Sequence, residues 1–152
     1  MAMIPLTRVQ LATVVTLAQA GRLDIVPADS GRATAFLQRA DERLSQLGLL
    51  TSVTVRYDLA YDAAHDVGEA LLAAYGYRTV NGPGQHDALG RYLRAILDTP
   101  PGDKAARSFD RLRRKRNQNH YEASTAGAAD AASAEQVARD LYGAATSRGI
   151  VP

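Results

Sequence analysis

The chain has 152 residues, 46% of them hydrophobic, and carries 18 lysines and arginines against 16 aspartates and glutamates, a formal net charge of +2. That length suits one domain with a modest core, and the composition is that of a globular rather than a disordered protein. No cysteine is present, which excludes a disulfide framework, thiolate metal sites and cysteine catalysis, and agrees with a reducing compartment.

Taken in chain order, the pattern predicts six helices and no strand. Met1–Leu6 is too short, and the chain beyond it too polar, for a signal peptide. The first helix runs from about Thr7 to Ala20, carries Val9, Leu11, Val15 and Leu17, and ends at Gly21. Leu23–Ala28 is a connector, because Pro27 disfavours helix at the residue before it. A second helix from Ser30 to Gly48 puts Ala33, Phe36, Leu37, Ala40 and Leu44 on one stripe. Ser52 is placed to cap the third and longest helix, which stops at Tyr75 before the left-handed terminator Gly76.

Asn81-Gly82-Pro83-Gly84 is a turn, since it lacks the lysine and spacing of a phosphate-binding loop. A fourth helix covers about His86–Leu97, and Thr99-Pro100-Pro101-Gly102 breaks the chain again. The fifth helix is expected over Asp103–Ala123. Ser124–Ala132 then reads as a mobile small-residue linker, and Ser133 with Gln136 as a capping box that opens a sixth helix to about Arg148. No run of about 18 apolar residues exists, so the expectation is a cytoplasmic all-α antiparallel bundle of about five to six helices, in a single domain over 1–152, without membrane association.

The charge is concentrated on the fifth helix. Lys104, Arg107, Arg111, Arg113, Arg114, Lys115 and Arg116 are opposed within that stretch by Asp110 alone, the footprint of a polyanion partner or of a solvated face. With Phe109 at zero and about 100° per residue, Arg116 falls at about −20°, His120 at about +20° and Arg113 at about +40°, on the side begun by Ala105 and Phe109. Asn117, at about 80°, stands at its edge. The core-facing stripe thus turns from apolar residues to arginine and histidine halfway along. Guanidinium groups on a packed face cost several kcal/mol unless a carboxylate or an anion meets them. Either a neighbouring helix supplies carboxylates, or the stripe opens into a cleft that holds phosphate by charge-assisted forks while an imidazole handles a proton.

Arg116-Asn117-Gln118-Asn119-His120-Tyr121, at the end of this arginine-rich helix, resembles the signature of the HEPN family, an arginine followed after a few residues by a histidine. Arg56–Tyr77 is similar to the long helix of that family with its Gly-aromatic end, and the His86-containing helix fits the same layout. The Arg-Arg-x-Arg-Asn run resembles that of an actinobacterial group within the family. Residues 1–50 would be its variable N-terminal helices and residues 51–149 its core.

The resemblance implies a dimer whose two Arg/His helices face each other, acting as a metal- and cofactor-independent endoribonuclease of toxin or phage-defence type. It assigns Arg116, His120 and Arg113 to catalysis, and Asn117, Arg114 and Tyr121 to RNA or phosphate binding. Arg116 and His120 are separated by three residues, a tighter spacing than the family's, whereas Arg113 and Arg114 leave six and five. A non-catalytic module that binds RNA, a nucleotide or an antitoxin such as a nucleotidyltransferase is therefore the alternative.

Two other histidines stand apart. His65 is flanked by Asp62 and Asp66 but has too few converging ligands for a metal site, and His86, near a helix start, could reach a phosphate or be an ordinary first-turn residue. Tyr57, Tyr61, Tyr75, Tyr77 and Tyr92 could stack bases, although tyrosines at helical spacing more often rim a core or an interface.

Overall fold

The computed structural model describes residues 2–123 and 126–152. Among them the chain forms six α-helices, α1 (Arg8–Gln19), α2 (Ser30–Gln46), α3 (Val53–Tyr75), α4 (Gln85–Ile96), α5 (Asp103–Tyr121) and α6 (Ala128–Ser147). A 3-10 turn, Leu47–Leu49, follows α2. The all-α bundle expected from periodicity is what forms, and no described helix is long and apolar enough to cross a membrane.

The helix starts follow from side-chain chemistry. Thr7, Asp29 and Ser52 each accept a backbone N–H from three residues on, filling one of the donors that a first turn leaves open. The sixth helix departs from the capping-box expectation. It begins at Ala128 rather than Ser133, with the Gly127 N–H donating to the Asp130 carboxylate at 3.1 Å. Alanine, which dominates its opening, has the best intrinsic helix propensity of any residue, and this outweighs the small-residue look of a linker. Of the expected linker, Ser124 and Thr125 lie outside the described residues.

A two-stranded antiparallel ribbon is the second departure. β1 (Leu23–Ile25) pairs with β2 (Tyr77–Thr79) in the register Leu23 to Thr79, Asp24 to Arg78 and Ile25 to Tyr77. Each strand is too short to show a period in the sequence, and the partner that makes it a strand lies some fifty residues away. Gly76 makes the ribbon possible. It sits at φ +86, and a Cβ there would stand 2.7 Å from the Val26 carbonyl oxygen, while its own carbonyl accepts the Val26 N–H at 3.0 Å.

α3 is the axis of the bundle, with α2 and α6 packed most extensively along it. Ala60, Ala63, Ala64 and Ala70 are fully buried on α3 and let these helices approach closely, while Tyr57, Tyr61, Val67, Leu71 and Leu72 fill the space between. Each such large side chain contributes roughly 1.5–3 kcal/mol when withdrawn from water. At Gly68 the absence of a side chain admits Leu89 of α4, whose Cδ1 would lie 2.8 Å from a Cβ there.

Two buried tyrosine hydroxyls tie helices together. Tyr92 donates to the Leu71 carbonyl at 3.0 Å, and Tyr57 donates to the Leu112 carbonyl at 2.9 Å, which fixes α5 against α3.

Candidate functional site

α3 and α5 lie antiparallel where they meet. The stride of four residues on α3 that presents Asp58 and Asp62 matches the stride of four on α5 that presents His120 and Arg116. An Asp62 oxygen is 3.5 Å from Arg116 Nη2, and an Asp58 oxygen is 3.5 Å from His120 Nε2. The stripe that sequence geometry marked as packed yet basic therefore meets a ladder of carboxylates, the first of the two outcomes a buried guanidinium permits. Both contacts are long for charge-assisted bonds, and the Arg116 Nε is buried with no hydrogen-bond partner among the described residues. The Arg116 guanidinium also lies over the Tyr61 ring, 4.9 Å from its centroid, which orients it as a plane.

The second outcome is present as well. Arg113, Arg116 and Asn117 form one wall of a cleft of about 450 Å³, and the Gly82–Gly84 loop with His86 and Asp87 forms the other. Gly84, at φ +85, precedes α4 and offers no side-chain cap, so α4 starts beside this opening, with the Gln85 N–H donating to the Gly82 carbonyl at 3.3 Å. Arg113 is held within its own helix by Asp110, at 2.8 and 3.0 Å, and Arg114 shares that carboxylate from the exposed side at 2.8 Å. Burial opposes ionisation of Asp110, but the bonds from Arg113 and Arg114 prevail and hold its carboxyl below the usual range.

The histidine that lines the cleft is His86, not His120. The His86 Nδ1 is 2.7 Å from the Tyr61 hydroxyl, the two rings are parallel within 6°, and the His65 ring stands 4.7 Å behind. Burial, then the charges of Arg116 and Arg113, keep His86 below the ordinary histidine range. His65 is lowered to about 4 by burial and by His86, and Tyr61 is pushed up to about 12 by burial against the pull of the two arginines. Burial raises Asp62, with Arg116 opposing.

Of the residues marked in the sequence, Arg113, Arg116 and Asn117 thus come together around one opening. His120 stands a turn further along α5, over half exposed, with Asp58 as its partner. Arg114 and Tyr121 point to solvent, Tyr121 with 93% of its surface exposed. Asp62, His65 and Asp66 do not converge on a metal, and no group of three such ligands exists among the described residues. Asp66 is taken by Arg39 and Arg43 instead. Tyr57, Tyr61 and Tyr92 are core residues, so base stacking on their faces is closed.

Sequence reasoning did not single out Asp58 and Asp62 as partners of the basic stripe, nor Tyr61 as the anchor of His86. The spacing of the two aspartates was visible, but which helix they would face was not. Compared with family models, with curated proteins and with solved structures, the chain has no match.

Proposed function

We propose that this chain is a HEPN-type RNA-binding module of the cytoplasm, which takes a backbone phosphate of single-stranded RNA between Arg113 and Arg116 without metal or cofactor. The observation that carries it is the cleft itself, where two guanidinium groups, an exposed Asn117 and the uncapped start of α4 surround one opening. Arg116 is oriented by Tyr61 and only loosely paired with Asp62, so an entering phosphate can replace a 3.5 Å contact with a fork of short charge-assisted bonds. RNA as the source of that phosphate rests on the resemblance of the Arg116–Tyr121 segment to the HEPN signature.

A second reading is cleavage, favoured by the Asp58–His120 pair. A carboxylate 3.5 Å from an imidazole can orient the ring, as acid–base catalysis requires. In that reaction the RNA 2′-oxygen bonds to phosphorus, the bond to the 5′-oxygen breaks, and a 2′,3′-cyclic phosphate and a 5′-hydroxyl result. His120 would take the proton of the 2′-hydroxyl and deliver it to the departing 5′-oxygen, and Arg116 would stabilise the charge of the five-coordinate phosphorus.

Dimerisation, which would bring two such helices together, and an antitoxin such as a nucleotidyltransferase belong to the same proposal. The deciding experiment incubates purified protein with labelled single-stranded RNA in EDTA and follows both anisotropy and product size. Arg116→Ala should lose binding. His120→Ala should keep binding and, on the second reading, lose cleavage. Equal binding by wild type and Arg116→Ala would refute the proposal.

A further inference from the structure

A second opening, of about 350 Å³, adjoins the basic cleft between α2, α3 and β2. We infer that it is a base subsite of the same RNA path, selective for guanine. The Glu69 carboxylate accepts from the N1–H and N2–H groups of the base, and the Arg32 guanidinium lies against its face. This rests on the phosphate-binding reading of the first cleft and names the nucleotide next to the bound phosphate.

The two openings are neighbours in space. Gln85 lines both, and His65, on the wall of the second, has its ring 4.7 Å from that of His86, on the wall of the first. A strand with a phosphate between Arg113 and Arg116 therefore has its next nucleotide within reach of the second opening. Gln85 also donates to the Thr79 hydroxyl at 3.1 Å, which ties the start of α4 to β2 and fixes the rim between the two.

Two charged side chains face this opening without a hydrogen bond. Arg32 lies over the Phe36 ring, 4.9 Å from its centroid, and its guanidinium makes no hydrogen bond or ion pair among the described residues. Glu69, half-buried on α3, has none among them either, although the charges of Arg32 and Arg39 oppose the rise that burial imposes on its carboxyl. Arg39, which shares the Phe36 ring, is committed to Asp66 by bonds of 2.7 and 3.1 Å. A carboxylate drawn partly out of water with no donor gains from a ligand that brings N–H groups to it.

The chemistry of the bases then selects one of them. A carboxylate offers acceptors and no donor. Guanine presents N1–H and N2–H side by side, a pair of donors that fits both oxygens. Adenine and cytosine set an acceptor nitrogen beside their amino group, and uracil flanks N3–H with two carbonyl oxygens, so each turns a lone pair toward the carboxylate. Bases of single-stranded RNA are read in this manner, by hydrogen bonds on the Watson–Crick edge and by stacking on aromatic rings or arginine planes.

The test uses fluorescein-labelled ten-nucleotide RNAs of uridine, unsubstituted or with guanine, inosine or adenine at one central position, titrated by anisotropy at pH 7.5 and constant ionic strength. Wild type should bind the guanine RNA about tenfold more tightly than the uridine one, the discrimination that one bidentate base contact supplies. Inosine, which lacks the N2 amino group, should lose most of that preference, and adenine should show none. Glu69→Gln should bring the guanine and uridine RNAs to within about twofold of each other, a ratio that a general change in charge does not move.

As a measurement independent of any variant's folding, the side-chain carboxyl carbon signal of Glu69 in the wild type should shift with the guanine RNA and not with the uridine one. Equal affinity of wild type for all four RNAs overturns the inference while leaving the phosphate reading intact. So does a guanine preference that survives in Glu69→Gln, or one that inosine keeps in full. No binding of any RNA by wild type removes both.

Discussion

α3 carries three aspartates at a stride of four, Asp58, Asp62 and Asp66, and they meet their cationic partners in two different ways. Asp66 is 1% exposed and grips two arginines of α2, Arg39 at 2.7 Å and Arg43 on its other oxygen. Asp58 and Asp62 are partly open to solvent and stand 3.5 Å from His120 and Arg116. The same residue type on the same helix is a clamp where α2 closes over it and a loose placeholder where the bundle opens. Depth and distance, not charge pattern, separate a structural ion pair from one that an anion can displace.

The largest effect that would break this contrast is on stability. Asp66→Ala removes a buried carboxylate that two half-exposed arginines hold and should cost about 2 kcal/mol, whereas Asp62→Ala should cost under about 1 kcal/mol; urea denaturation at pH 7 measures both. Similar losses would mean that the two aspartates do the same work.

Next comes pH. His65 is held at about 4 by burial, below its unfolded value near 6.5, so the folded state resists protonation that the unfolded chain accepts. Its contribution is intact above pH 6.5 and declines as pH falls from 6.5 toward 4, by up to roughly 1.4 kcal/mol per unit. His65→Gln should flatten the difference in stability between pH 7 and pH 4.5, and an unchanged slope would show that the carboxylates alone set it.

A smaller loss is expected at the junction between α3 and α5. Tyr57→Phe removes the bond to the Leu112 carbonyl and should lower stability by about 1 kcal/mol, with RNA affinity reduced in step if that bond holds the basic helix in place.

The six helices, the cap at Ser52 and the stop at Gly76 were legible because each is written in local chemistry, whereas the cap at Thr7 and the start of α6 were not marked. The ribbon was not, since Leu23–Ile25 becomes a strand only by pairing with Tyr77–Thr79. For the site, the angular position of Arg113, Arg116 and His120 on one stripe could be worked out from residue number alone. Their separation into a cleft wall and a dyad one turn away could not, because it depends on where α4 begins relative to α5. His86 was visible only as a histidine near a helix start. Its place on the cleft wall is held by Tyr61, which lies 25 residues earlier and a helix away.

Everything proposed for this chain turns on whether the cleft between α4 and α5 takes a phosphate of RNA. An anisotropy titration of labelled single-stranded RNA decides it, in EDTA at two salt concentrations, with wild type and with Arg113→Ala/Arg116→Ala. The double variant should bind at least about tenfold more weakly, with a salt slope shallower by about one to two and melting behaviour close to wild type. Equal affinity and equal salt slope for the two proteins would contradict phosphate binding in this cleft.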